Sequence, residues 1–507
     1  MLAGHSLPND VPTLQRLLLE QQQMIESLKS QLHRALKHRF GPRSEVLNID
    51  QGCLFADDSV VIELPVQSAP TPPIAIAGKP AAARRRAVRM LKDLPRVIET
   101  LELPEAERVC ADCGAPMRPF GIECREQLHY VPARLEIIET RRHKYACSGC
   151  HAHIMRAPMP VRAPIPKGMA GPSLLAYLIV SKFADGLPLY RIAGRLQRLG
   201  IQIPHTLMSQ WLMQAAELLE GVGERVFGKV LASAHVFTDD TTLPLQNDDP
   251  ARHRTYQAKL WVYARSARGQ RPLALYRFTR SRSREGPLEH LRGYRGYLQA
   301  DAFPGYDALY ADGTIQEVAC NVHARRRFVE AAELLERPGR PHEALGFYKA
   351  LFRIEREIAP LSDAERLEQR QRRAVPILSA FKAWLDAQAN AVLPKSALGE
   401  AVGYALRHWE GFVRYTQAGH LEASNNYAER CMRSVAVGRK SFLFVGSERA
   451  GHAAALYYSL VESCKLNKIN PLTYLTYLLT HARNPGLTLP TPDEFMEVDW
   501  GADRMSL

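Results

Sequence analysis

The stretch Ala234–Gln246, "AHVFTDDTTLPLQ", decides the fold. Its β-branched and aromatic residues alternate with polar ones, the pattern of a half-buried strand. Two more stretches read the same way, "QAKLWVYARSA" from Gln257 and "PLALYRFTRSRS" from Pro272. A helical stretch, "EGPLEHLRGY" from Glu285, comes next, and a fourth strand, "GYLQADAF" from Gly296, closes the run. The first strand carries Asp239 and the fourth ends at Asp301.

Three strands, a helix and a further strand is the element order of an RNase H-like α/β domain, in which the first and fourth strands lie side by side. A third carboxylate comes from "LEASNNYAERCMRS", Leu421–Ser434. On a helix advancing about 100° per residue, Asn425, Asn426, Glu429 and Arg433 share one face. Such a face can be a solvated one with an i,i+4 Glu–Arg pair, and each aspartate taken alone can be a turn or cap residue. Together, two strand carboxylates and one helix carboxylate form the oxygen-rich cluster that Mg²⁺ favours. Two such ions, Mg²⁺ or Mn²⁺, can activate a water or a DNA 3′-hydroxyl and stabilise the leaving oxygen at phosphorus. Between Asp301 and Glu429, "HEALGFYKALFRIEREI" and "AVPILSAFKAWLDAQAN" are amphipathic helices. The reading is therefore a catalytic domain over 230–485 with an all-helical insertion at about 335–412.

The rest of the 507 residues fall into smaller units, giving a multidomain α+β chain. Sixty-six Lys and Arg against 53 Asp and Glu leave a charge of +13, so the long-range field favours polyanions, with nucleic acid first among them. No apolar run reaches the length of a membrane span, and "MLAGHSLPND" lacks the layout of a secretory signal, which points to a cytoplasmic protein with no membrane partner. From Val11 to Ala35, Val11, Leu18, Ile25 and Leu32 occupy heptad a positions, and Leu14, Gln21, Leu28 and Ala35 occupy d. This reads as a coiled coil within 8–47, or else as an amphipathic helix packed on its own domain. The Pro/Ala-rich segment 63–92 reads as a linker.

"CADC" (Cys110, Cys113) and "CSGC" (Cys147, Cys150) read as two knuckles that supply the four sulfurs of a structural zinc site, a zinc ribbon over 95–160, with two redox or incidental CxxC motifs as the alternative. Cys124, His129, His143, His151 and His153 are left out of the simplest ligand set. The segment 165–225 reads as a helix to about Leu199, a turn at Gly200 and a second helix opening with Pro204. This pair resembles a helix-turn-helix, with His205, Thr206, Ser209 and Gln210 outward and Leu207 and Trp211 inward, although any αα-hairpin has a similar pattern.

These segments, with "RFGPRSE", "DGLPLYR", "LWVYA", "YLQADAFPGYDALY", "CNVHARRRFVEA" and "NNYAERCMRSVAVGRKSFLFVGSERAGHAAALYYSLVESCKLNKINPLTYL", resemble transposases of the insertion sequence 66 family nearly end to end. The resemblance implies DDE-type transposition with the triad carried onto Asp239, Asp301 and Glu429. This chain has Asp240 where the family commonly has Glu, and Ser424 where it commonly has Asp. The implied activity is binding to element ends, cleavage, and joining of a 3′-hydroxyl to target DNA. Arg433, Arg439 and Lys440, together with His323, Arg325 and Arg326, are the expected phosphate contacts, with solvated surface as the alternative. A homo-oligomer is the expected state, and small accessory proteins of the same element are possible partners. The rival functions are a DNA-binding regulator with a dead catalytic domain and a nuclease that hydrolyses without joining.

The coil generates a direct test, because transposition must hold two DNA ends while each chain carries one active site. Changing Leu18 and Ile25 together to Asp is expected to lower the oligomeric state in light scattering while single-end DNA binding survives. An unchanged oligomer would assign the segment to intramolecular packing.

Overall fold

The computed structural model describes residues 135–146, 154–156 and 163–495, apart from 167, 247–254 and 336, together with scattered positions from 10 to 32. The chain divides into two units, one of Met1–Ala56 with Ile138–Leu507 and one of Asp57–Ile137. Nearly all of the second unit, the linker and all four zinc-ribbon cysteines lie outside the described residues. At the coil, the described positions from Val11 to Leu32 are helical, and Val11, Leu18, Ile25, Leu28 and Leu32 are exposed. Within the segment read as the zinc ribbon, the described residues include one short strand, β1 (Lys144–Ala146), antiparallel to β2 (Ile154–Arg156).

Three helices come next: α1 (Pro172–Phe183), α2 (Leu189–Arg198) and α3 (His205–Leu231). Gly200, at φ +91°, turns the chain between α2 and α3. Pro204 is the N-cap of α3 rather than its first helical residue. His205, Thr206 and Gln210 are exposed, Ser209 and Leu207 are half-buried, and Trp211 is buried. His205, Thr206 and Gln210 thus face outward and Trp211 inward, while Ser209 and Leu207 are alike in exposure. At 27 residues, however, α3 runs well past the length a recognition helix needs, and it buries Val222, Val226 and Val230 in the core of the domain.

The sheet has five strands in the order β5-β4-β3-β6-β7. β3 (His235–Leu245), β4 (Tyr256–Arg265) and β5 (Leu273–Thr279) form an antiparallel meander. The chain then crosses through α4 (Glu285–His290) to β6 (Gly296–Ala300), which pairs in parallel with β3, and α5 (Asp307–Tyr310) leads to β7 (Ile315–Ala319) beside β6. Gly296, at φ +140°, begins β6 where a Cβ would stand 2.5 Å from the Ala234 carbonyl oxygen, so only glycine lets the two strands approach.

Beyond β7, α6 (Asn321–Ala332) opens a helical region that includes α7 (Arg340–Ile358), α8 (Asp363–Gln369), α9 (Val375–Ala391), α10 (Ala397–Arg407) and α11 (Trp409–Val413). It holds a core of its own around Phe328, Tyr348 and Phe381. The chain returns to the sheet through α12 (Asn426–Phe442), α13 (Glu448–Leu466) and α14 (Pro471–His481). α13 covers the open edge of β5: Ser459 Oγ accepts the Tyr276 N–H at 2.7 Å, and Ser463 Oγ bonds both backbone groups of Ala274 at 3.0 Å. Backbone groups that would otherwise be an unpaired sheet edge are thereby satisfied. Among the described residues no helix is long and apolar enough to cross a membrane.

Between the last helix of the insertion and α12, residues 415–422 are held by two buried arginines. Arg370, in a π-helical turn between α8 and α9, forks onto Glu355 at 2.9 and 2.6 Å and donates to the carbonyls of Tyr415, Ala418, Gly419 and Leu421. Arg366 grips Glu422 and the Leu421 carbonyl from the same side. Replacing Arg370 by Met takes the fork from Glu355, leaving it only Arg366 at 3.5 Å, and removes a donor from four carbonyls, of which Leu421 alone keeps Arg366, a cost of about 3–5 kcal/mol for a broken buried ion pair. The expected outcome is a clearly lowered thermal midpoint for the variant, and an unchanged one would show that this clamp does not support the fold.

Candidate active site

The parallel pairing of β3 with β6 matches Phe237 with Gln299. Two residues further along each strand direction stand Asp239 and Asp301, so the register alone brings the two carboxylates to one end of the sheet. Side chains alternate along β3, and Asp240 therefore turns to the other face, where Lys259 Nζ and Arg282 hold it at 2.8 and 2.7 Å. That pairing accounts for a second aspartate in the motif without giving it a place beside the first.

Glu429 arrives from the first turn of α12. Asn425 is the N-cap of that helix rather than one of its face residues, and Ser424 precedes the cap instead of forming it. Asn425 is fully buried, donating Nδ2 to the Thr238 carbonyl at 2.8 Å and its N–H to Cys320 Sγ at 3.1 Å. One residue thus ties the start of α12 to the strand that carries Asp239 and to the end of β7. Asn426 and Glu429 remain on the face that the helical wheel gave them, half-buried, with Arg433 exposed one turn further on.

Burial and neighbouring charge act together on these groups. Burial, and next the charge of Asp301, push the Asp239 carboxyl up. The Asp240 N–H at 2.8 Å works against the shift, Glu429 adds to it and His323 opposes it, leaving Asp239 raised to about 7. A carboxylate that burial, and after it two neighbouring carboxylates, make hard to ionise is one that a divalent cation would stabilise. Glu429 Oε1 is buried with no hydrogen-bond partner and lies 3.9 Å from His323 Nε2. Burial would lower His323, yet the Cys320 sulfur, Glu429 and Asp301 outweigh it and raise the imidazole to about 9. Glu422, the other carboxylate on the approach to α12, is committed to Arg366 and Arg268 at 3.1 and 3.0 Å. It is held in the clamp and is not a spare ligand.

The basic residues divide. Arg433 and Lys440 are exposed on α12, and Arg325 and Arg326 are half-buried on α6 with His323. Arg439 instead donates to Thr241 Oγ1 at 2.9 Å and the Thr242 carbonyl at 2.6 Å, bracing α12 against β3. Several residues at the site carried no assignment from sequence. Arg282 spans Asp240 and Asp301 and lies 4.0 Å over the Phe303 ring, and Tyr404 donates to the Asp301 carbonyl at 3.2 Å. Cys320 was visible as the first residue of "CNVH", whose three-residue spacing is a ligand-like signal. Arg282 and Tyr404 had no such signal, since they meet Asp301 through the sheet crossing and the insertion.

A mixed sheet-and-helix domain with three converging carboxylates amid basic side chains is the class of protein that these observations define. Residues 167–453 match the family described as "Transposase IS66 family", 107–151 the "zinc-finger binding domain of transposase IS66", 459–485 the "IS66 C-terminal element" and 27–98 "Transposase C of IS166 homeodomain". The chain belongs to the IS66 transposase family. It is 33% identical to the uncharacterized protein y4jD of Sinorhizobium fredii over 99% of both chains. It is also 34% identical to y4qI of the same organism over 90% of this chain and 86% of that one. The zinc-finger match supports structural zinc, and family membership implies DNA as partner and a divalent metal at the site.

The raised Asp239 carboxyl has a stability consequence whose sign follows from linkage. The folded chain holds this proton more tightly than the unfolded one, so the penalty is absent below about pH 4, grows with rising pH and is complete above about pH 7. Its size is of the order of 4 kcal/mol at most. Without added magnesium, Asp239→Asn is expected to melt above the wild type at pH 8 and level with it near pH 4. Equal melting at both values would show that Asp239 is not charge-strained.

Proposed function

We propose that this chain is a DDE-type transposase that binds the ends of a bacterial insertion sequence, cleaves there and joins the freed 3′-hydroxyl to target DNA. The observation that carries the reading is the placing of Asp239 and Asp301 on two neighbouring parallel strands in matching register, with Glu429 brought to them by a distant helix, where burial first and the charges of Asp301 and Glu429 next raise Asp239 to about 7. The sheet order, an antiparallel meander followed by two parallel strands, supports an RNase H-like catalytic domain over 230–485. The insertion then corresponds to the helical region entered after β7.

The donors suit Mg²⁺ or Mn²⁺: all three are carboxylates, and Glu429 Oε1 has no hydrogen-bond partner. Asp239, Asp301 and Glu429 would hold two such ions, which when bound supply activation of the hydroxyl nucleophile and charge neutralisation at phosphorus. The chain's own residues do the rest. Arg282, held by Asp240 and Phe303, keeps a positive charge at the Asp301 side of the site. The His323 imidazolium, with Arg325 and Arg326 behind it and Arg433 and Lys440 on α12, offers cations to the phosphates of a strand crossing the site. Arg439 acts through α12, as a positioning residue.

Outside this site, Cys110, Cys113, Cys147 and Cys150 hold a structural zinc, and β1 and β2 bracket the second cysteine pair. The ribbon and the α2–α3 pair, through His205, Thr206, Ser209 and Gln210, bind the element end. The coil brings two chains together, and small proteins of the same element complete the assembly.

Glu429→Gln keeps shape and helix propensity while removing a ligand charge. Loss of residues that merely orient ligands costs about 10–100-fold, so loss of the ligand itself is expected to cut cleavage by about 100-fold or more with end binding intact. The assay is cleavage and strand transfer on native element ends. Near-normal activity of the folded variant would sink the triad. Binding without cleavage by the wild type would favour a regulator, and cleavage without joined product a hydrolytic nuclease.

A further inference from the structure

Beside the all-oxygen cluster lies a second donor set of different chemistry. Cys320, His323 and Glu429 bring one sulfur, one imidazole nitrogen and one carboxylate oxygen within 4.8 Å of one another. A tetrahedral zinc, with bonds of about 2.0–2.3 Å, spaces its ligands about 3.3–3.8 Å apart. His323 Nε2 and Glu429 Oε1 already stand at 3.9 Å. A rotamer-scale closure of about 1 Å completes the set.

Two further observations point to a ligand. Glu429 Oε1, the carboxylate oxygen facing His323 Nε2, is shielded from water and lacks a hydrogen-bond partner, which is costly unless something else satisfies it. The Cys320 sulfur accepts the Asn425 N–H at 3.1 Å, the kind of outer contact that steadies a metal thiolate. Local structure fixes all three donors. Cys320 is the N-cap of α6, His323 sits in its first turn, and Glu429 lies in the first turn of α12, which Asn425 anchors to the same sulfur.

We propose that Cys320, His323 and Glu429 form a second, exchangeable zinc site, distinct from the four-cysteine ribbon. On binding, Cys320 gives up its thiol proton and the His323 imidazolium its ring proton, both to solvent, and the fourth position is left for water. Thiolate and imidazole select zinc over Mg²⁺, which keeps to oxygen donors. The regulatory part of the proposal rests on the transposase reading above: Glu429 belongs to both donor sets, and zinc on Cys320 and His323 takes that carboxylate from the Mg²⁺ cluster and stops cleavage.

The test uses the full chain carrying its ribbon zinc, dialysed against micromolar Zn²⁺ without DNA, with metal counted per chain. Two zinc ions are expected for the wild type, one for His323→Gln, and two for Asp301→Asn, whose carboxylate serves only the oxygen cluster. Co²⁺ added to the one-zinc protein should give a sulfur-to-metal absorption band in the near ultraviolet that Cys320→Ser lacks. If the buried Cys320→Ser variant does not fold, His323→Gln still decides, because its side chain is partly exposed and its loss opens no core cavity. A wild type that stays at one zinc overturns the site, as does a second zinc that survives His323→Gln or is lost in Asp301→Asn. The regulatory step is read separately, as inhibition of Mg²⁺-dependent cleavage by micromolar Zn²⁺. A chain that holds two zinc ions yet never cleaves element ends defeats the transposase reading and leaves the site standing. A chain that cleaves normally with the second zinc bound defeats the inhibition.

Discussion

The parallel pairing of β3 with β6 is the constraint on which the rest depends. It is narrow: three residue pairs, His235 with Tyr297, Val236 with Leu298 and Phe237 with Gln299. Gly296 is required at its start by the Ala234 carbonyl, and Gln299 locks it from within. The Gln299 side chain, fully buried, bonds His235 Nε2 at 3.0 Å and donates to the Glu422 carbonyl at 2.7 Å. Burial drives His235 down to about 3, so the imidazole stays neutral and the pair can remain in the core. A slip of one residue in this pairing would send Asp301 to the opposite face of the sheet.

A fold that gathers like charges must hold them against their repulsion. Here the holding is mechanical and comes from outside the sheet. The insertion packs its own aromatic core, and from that base Arg366 and Arg370 fix the loop leading to α12 through its backbone carbonyls and the Glu422 carboxylate. Asn425 then seats the first turn of α12 on Thr238 and Cys320, and Arg439 braces its far end on β3. Glu429 is consequently carried on a rigid helix whose two ends are tied to the strand bearing Asp239. The insertion, which looks peripheral in the chain order, is the support of the third carboxylate.

Asp239 and Asp240 show how one dipeptide serves two ends. The alternation of a strand sends the first into the buried cluster and the second into an ion-paired layer with Lys259 and Arg282. Arg282 reaches back over the edge to within 3.7 Å of Asp301. Positive charge near the cluster is thus anchored by a carboxylate that is not part of it.

The sequence by itself determined the strands, the helices of the insertion, the pairing of Asp239 and Asp301 and the face of α12 that bears Glu429, because those follow from periodicities that short stretches carry whole. It also determined the family, through motifs spread along the chain. Tertiary structure decided what periodicity cannot express. Arg439 became a brace and Asn425 a buried anchor because each meets β3, far away in the chain. Glu422 and Glu429 sit on one quoted stretch and look alike there, yet the insertion's Arg366 claims the first and leaves the second facing His323. Cys320 and His323 were legible as a spaced pair, but their meeting with Glu429 depends on how α6 and α12 converge on the end of β7. Contacts between residues so distant in the chain are set by packing, and no local pattern encodes them.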